Sequence, residues 1–161
     1  MSAGSKNGFT IIELMLTLVI LGVMLAIGMP SLIKVIDSQR VKTAASDLHV
    51  SLMVARSEAI KRNANVQVVP VNTANWANGW SVVAGASVIS TQDAYTSVTM
   101  TGPAAAVTYV GTGRISGTAV SFFLRSTNVA QVAARCVQIE PSGRPSVRID
   151  KDGNSGDGVC G

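Results

Sequence analysis

The chain has 161 residues, enough for one domain and an extension, with 47% apolar, 14% charged and only 4% aromatic side chains. Its formal charge of +4 is uneven: residues 1–62 carry seven Lys/Arg against four Asp/Glu, and residues 63–161 carry six against five. That balance excludes a uniformly basic nucleic-acid-binding body, so any basic surface must be a local patch. Much of the excess hydrophobicity sits between Phe9 and Met29, which leaves an Ala/Val/Ser/Thr-rich remainder of ordinary soluble character.

Residues 1–8, MSAGSKNG, are short and polar. Phe9-Thr10-Ile11-Ile12-Glu13-Leu14 follows, and then sixteen uncharged residues, 14–29. A run this long and apolar is a membrane-span candidate. It is not an ordinary secretory signal, because no small-residue cleavage site follows the apolar run. Glu13 is the anomaly, since a carboxylate at the edge of a span is costly unless it is paired or stays solvated at the interface.

Gly8-Phe9-Thr10-Ile11-Ile12-Glu13-Leu14 resembles the processing site of type IV prepilins and type II secretion pseudopilins. The resemblance implies cleavage between Gly8 and Phe9 by a prepilin peptidase and N-methylation of Phe9. It also implies pairing of Glu13 with the terminal amine of a neighbouring subunit. Pro30 stands where many pilins also carry a proline, and with Gly22 and Gly28 nearby it marks a place for a helix kink. Two unlike charges in a low dielectric attract strongly and offset each other's burial penalty, which makes the Glu13 role physically sensible. Lys34, Arg40 and Lys42 follow the span while only Lys6 and the starting amine precede it. A positive-inside count alone therefore favours the opposite orientation. The resemblance, not the charge rule, places residues 31–161 in the periplasm, with the subunit held in inner-membrane lipid before it joins other pilins in a filament.

Beyond Pro30, Val41, Ala44, Ala45, Leu48, Leu52, Ala55 and Ala59 recur at helical spacing and define one stripe to bury. Glu58 is placed to meet Arg62 at i,i+4. A helix from Phe9 to about Arg62 would be on the order of 80 Å long at 1.5 Å per residue. His49, the one histidine, has no carboxylate or Cys at ligand spacing and reads as a surface helical residue.

From Asn63 the pattern changes to period 2 with turn punctuation. Segments 65–71, 79–84, 107–110, 120–124, 135–140 and 146–149 read as strands. Trp76 and Trp80 read as residues packing the sheet on the helix rather than as ligand-stacking platforms. The expected fold is α+β: a long N-terminal helix, membrane-spanning in its first half and amphipathic in its second, packed against a C-terminal antiparallel β-sheet. The expected organisation is a leader (1–8), an assembly helix (9–30), an amphipathic helix (31–62) and a β domain (63–161). The stretch Ala55-Arg56-Ser57-Glu58-Ala59, a short strand and then Asn78-Gly79-Trp80 are similar to the minor pilins and pseudopilins of the GspH/FimT group. Cys136 and Cys160 form an even pair in an exported chain, which suggests one disulfide. It would close a loop of about 25 residues, worth roughly 3 kcal/mol in the chain-entropy model.

No Ser/His/Asp set, Cys/His metal spacing or phosphate-cradling Gly motif ahead of a helix is present, so neither an enzyme nor a cofactor is expected. Arg114, Arg125, Arg135, Arg144 and Arg148 face one acid, Glu140, across residues 114–148. In an extended strand Arg144 and Arg148 share a face with Ser146 between them, a spacing suited to gripping phosphates without reading bases. Some members of the resembled group bind DNA through a C-terminal Gly-Arg-x-Arg motif. Here three residues, not one, separate the arginines, and a solvated strand face or pairing with neighbouring subunits is the alternative. Asp150, Asp152, Asn154 and Asp157 make an oxygen-rich loop, but Gly comes too early and no Glu closes it for an EF-hand, which favours a surface turn over a calcium site. The resemblance thus implies a minor type IV pilin acting in pilus initiation or at the tip. The alternatives are a receptor for duplex DNA in natural transformation and a type II secretion pseudopilin.

Overall fold

A computed structural model describes residues 8–73 and 75–150. The chain forms two compact units, Met1–Val35 and Ile36–Gly161. Helix α1 spans Ile11–Arg62 and is unbroken at Pro30. It starts at Thr10, whose hydroxyl accepts from the Glu13 amide (3.3 Å), while the Thr10 carbonyl accepts from the Leu14 amide (3.1 Å). Thr10 is thus a hydroxyl N-cap, and Glu13 is a first-turn carboxylate favoured by the helix dipole.

In the first unit the described apolar side chains on α1 are exposed, Ile11 to 81%, as is Phe9 just before the helix. The helix is long and apolar enough to cross a membrane. The second unit holds the core. Val41, Ala44, Ala45, Leu48, Leu52, Ala55 and Ala59 are all fully buried, as the helical spacing predicts. Four of these seven are alanines, which keep the helix surface shallow so that sheet residues can approach it closely.

Two four-stranded antiparallel sheets, rather than the single sheet expected, close over that stripe. The first, sheet A, has the order β3-β2-β1-β5, from β1 (Val66–Pro70), β2 (Trp80–Ala84), β3 (Ser87–Gln92) and β5 (Val107–Tyr109). The second, sheet B, has the order β4-β6-β7-β8, from β4 (Val98–Thr101), β6 (Val120–Ser126), β7 (Arg135–Ile139) and β8 (Pro145–Ile149). Strand β3 was illegible because Ser87-Val88-Ile89-Ser90-Thr91-Gln92 lacks hydrophobic alternation, and its pairing with β2 carries a bulge at Val82/Val83. Strand β4 has the alternation, with Val98 and Met100 inward, but only four residues of it.

Both tryptophans are core residues. Trp76 meets Phe122 edge-on (4.8 Å, 82°), and its indole N–H donates to the Pro103 carbonyl (2.9 Å). Trp80 stacks on Tyr95 (5.9 Å), whose hydroxyl donates to Asp47 on α1 (2.6 Å). Asn75 ties the sheets' connections together: its side-chain oxygen accepts from Ala77 N (3.0 Å) and Met100 N (3.1 Å). Asp37, buried in α1, accepts from Ser126 Oγ (3.0 Å) and from Arg40 (3.2 Å), which anchors the end of β6.

Burial raises the Tyr95 phenol above its ordinary range, and the bond to Asp47 raises it further. Burial also raises Tyr109. A phenol whose folded pKa lies above its unfolded value stabilises the fold fully below about pH 10 and loses that contribution as pH rises toward the folded value. These are the only two tyrosines. Phenolate absorbance should therefore appear only together with loss of the near-ultraviolet circular dichroism of the fold; an ionisation near pH 10 in the intact fold would contradict this packing.

Candidate functional site: an assembly helix and a basic sheet face

The candidate residues fall in two places. Phe9 and Glu13 lie at the start of α1, with Gly8 just before it, among exposed apolar side chains. Between Ile11 and Ile33 the one charged residue is Glu13. No partner for it is present among the described residues.

The arginines lie on and around sheet B, and strand register sorts them. Opposed residues share a face, so Phe123–Cys136–Arg148 form one row and Gln138–Ser146 the next, on the side away from the core. Thr99 opposes Arg125 on that same outer side. Arg125 and Arg148 therefore share the outer face. Arg135 opposes Ile149 and Leu124, which puts it on the inner side, away from the other candidates.

Arg114 and Arg144 are brought together by a feature the strand pattern did not reveal. In one turn Gly113 N donates to Val110 O (2.8 Å) and Val110 N to Arg114 O (2.9 Å). In the other Gly143 N donates to Glu140 O (2.8 Å) and Glu140 N to Arg144 O (3.3 Å). The two turns have the same construction, each with a left-handed glycine (φ 76° and 81°) directly before the arginine. They abut: a Cβ on Gly143 would collide with the Gly113 carbonyl and crowd Arg114. Arg56 on α1 fixes the first turn, donating from Nε to Gly113 O (3.1 Å). Arg114, Arg144 and Arg148 are all exposed, with Glu140 beside them. The legible signal would have been the repeated Gly-Arg pair after a short turn sequence, Gly111-Thr112-Gly113-Arg114 and Pro141-Ser142-Gly143-Arg144.

Cys136 is fully buried on the outer face and is not a free thiol, and Phe123 beside it is buried outside the main core cluster. Its expected partner Cys160 lies outside the described residues, as do Asp152, Asn154 and Asp157 of the calcium-like loop. Asp150 is buried, and its amide donates to Ala134 O (3.0 Å). Among the described residues no group of His, Cys, Asp or Glu could hold a metal, and His49 lies half-buried on α1. Glu58 meets both Arg62 (2.7 Å) and Lys61 (3.3 Å), and the Arg62 hydrogen bond holds its carboxyl below the ordinary range.

Comparison with known proteins places this architecture. Residues 44–143 match the family model of type II transport protein GspH, and residues 4–29 match the prokaryotic N-terminal methylation motif. The chain belongs to the GspH family. Two crystal forms of Pseudomonas aeruginosa (strain PAO1) type IV minor pilin FimU share its fold. One is 21% identical with a TM-score of 0.59, covering 66% of this chain and 91% of that one. The other is 20% identical with a TM-score of 0.61, covering 68% and 89%. No curated protein matches the sequence. The fold is thus shared with a type IV minor pilin, and the methylation-motif match runs into an exposed apolar helix long enough to cross a membrane.

The twin turns yield a stability prediction. Gly143→Ala combines a left-handed φ with a collision against fixed backbone, so it should cost more than about 2 kcal/mol, read by denaturant unfolding of the Ile36–Gly161 unit. Gly117→Ala, also at positive φ but with nothing within 4 Å, should cost only about 1–2 kcal/mol.

Proposed function

We propose that this chain is a minor pilin. It is cut between Gly8 and Phe9, methylated at Phe9, held in the inner membrane with residues 31–161 in the periplasm, and built into a filament that it helps to initiate or cap. The observation that carries this reading is the exposed apolar helix from Ile11, whose one charge before Lys34 is Glu13. Such a surface has to be covered by lipid or by like helices, and a carboxylate is tolerated there when a cation meets it. The free amine that cleavage creates at Phe9 of a neighbouring subunit is that cation.

Glu13 also lies in the first turn of the helix, so loss of pairing must be separated from loss of that turn. Glu13→Gln keeps hydrogen-bonding capacity and removes the charge. It should be cleaved normally, yet its incorporation into sheared filaments should fall at least about tenfold, the equivalent of about 1.4 kcal/mol. Normal incorporation would sink the pairing. Gly8→Ala should leave an unshifted precursor band. The same experiment serves the secretion-pseudopilus variant of this reading, which the GspH family name favours, with the secreted product as readout.

A second reading rests on the twin Gly-Arg turns: duplex DNA gripped through its backbone by Arg114, Arg144 and Arg148. The head unit, Ile36–Gly161, contains the whole core cluster and can be tested apart from the membrane helix. Binding to random duplex DNA should weaken with salt at a log–log slope of about −2 to −3 for two to three phosphate contacts. Arg144→Ala/Arg148→Ala should flatten that slope by about two. Undetectable binding at low salt, or a slope indifferent to these arginines, would remove the receptor reading.

A further inference from the structure

Between Arg62 and Arg114 the sequence contains a single charged side chain, Asp93. That stretch supplies all four strands of sheet A, and none of them bears a charge. The outward side of an antiparallel sheet is ordinarily its polar, solvated side. Here register assembles a neutral one. Gln67, Val83 and Val88 form one outer row, and Val69, Ser81 and Thr91 the next. Val88 is 61% exposed, and Val71, just past β1, is 71% exposed. The polar members bond among themselves: Gln67 Nε2 donates to Thr108 Oγ1 (3.2 Å), and the Ser81 and Thr91 hydroxyls lie 3.4 Å apart. Covering this face would strand no ion and few unpaired hydrogen-bonding groups. The outer face of sheet B is the opposite case, with Arg125 and Arg148 on it.

We infer that the outer face of sheet A is a contact surface that packs against an uncharged face on the head of another subunit of the same filament. The inference rests on the filament reading and adds to it the side by which the head meets its neighbour. Depletion of charge is the compositional mark of a protein interface core. Charge matching selects the partner. A polyanion or a lipid headgroup layer would lose hydration here without gaining a counter-charge, whereas a neutral protein face loses little and gains the burial of exposed valines.

The test uses the full chain in its filament-bearing cells. A photoreactive residue replaces Val88, with Ser146 on the outer face of sheet B as the comparison site. Position 88 should cross-link to head-domain peptides of another filament subunit, and position 146 should not. Val88→Glu should lower incorporation into sheared filaments about tenfold, equivalent to about 1.4 kcal/mol, while Val88→Thr retains it. Parental incorporation of Val88→Glu, or cross-links from position 88 only to glycan or lipid, would overturn the inference while leaving the filament reading intact. Absence of the chain from filaments in every form would sink the filament reading instead. The contact would then stand only if position 88 still captured an identified pilin-like head in the membrane fraction, and would fall otherwise.

Discussion

Everything in the head is organised by one helix stripe. Val41, Ala44, Ala45, Leu48, Leu52, Ala55 and Ala59 lose all solvent contact, and both sheets close on them. The two leucines supply bulk worth about 1.5–3 kcal/mol each on burial, and the alanines supply proximity. Because the stripe is narrow, the opposite side of α1 stays outside; Val50, Met53 and Ile60 are exposed. Polar ties at both ends fix how the sheets meet the helix. Asp37 holds the end of β6 and Arg56 holds the Val110–Arg114 turn. Removing either bond would loosen a connection and leave the stripe itself in place.

The two parts of α1 obey different solvents. From Val41 onward the fully buried residues of α1 are all apolar, and most of the exposed ones are polar, Val50, Met53 and Ile60 being the exceptions. Before Val35 no such alternation exists, and the described side chains are exposed irrespective of chemistry. An apolar surface that the described residues leave exposed requires cover from lipid or from like helices, whereas the Ile36–Gly161 unit covers its own apolar stripe.

Legibility in the sequence followed that division. The helix stripe is readable residue by residue, because a 3.6-residue period sustained from Val41 to Ala59 has few competing explanations. The core roles of Trp76 and Trp80 were readable for a similar reason, since aromatics bounded by strands are most often packing residues. The division into two sheets was not. Strand β1 pairs with β5 across some 40 residues, and β6 pairs with β4 and β7 but with neither β2 nor β3. Period-2 alternation says which residues share a face and nothing about which strand lies beside which. Strand β3 failed even that test, with Ser and Thr where alternation would need apolar side chains.

The arginines show the same limit in a sharper form. Register puts Ser146 and Arg148 of β8 on one side, while Arg144 lies in the turn before the strand, where Gly143 packs against Gly113, thirty positions away in sequence. That approach depends on two glycines. Gly113 and Gly143 each adopt a backbone conformation that side chains rarely accept; Gly143 leaves room for the Gly113–Arg114 turn, and Gly113 leaves room for Ile60 and Arg56 of α1. A tight turn with a left-handed glycine is a local instruction, readable in principle from Gly-Arg after a turn sequence. That two such turns should touch is a property of the closed sheets on the helix stripe. The basic corner thus depends on the packing of Ala55 and Ala59, whose small side chains bring Arg56 and Ile60 of α1 within reach of Gly113.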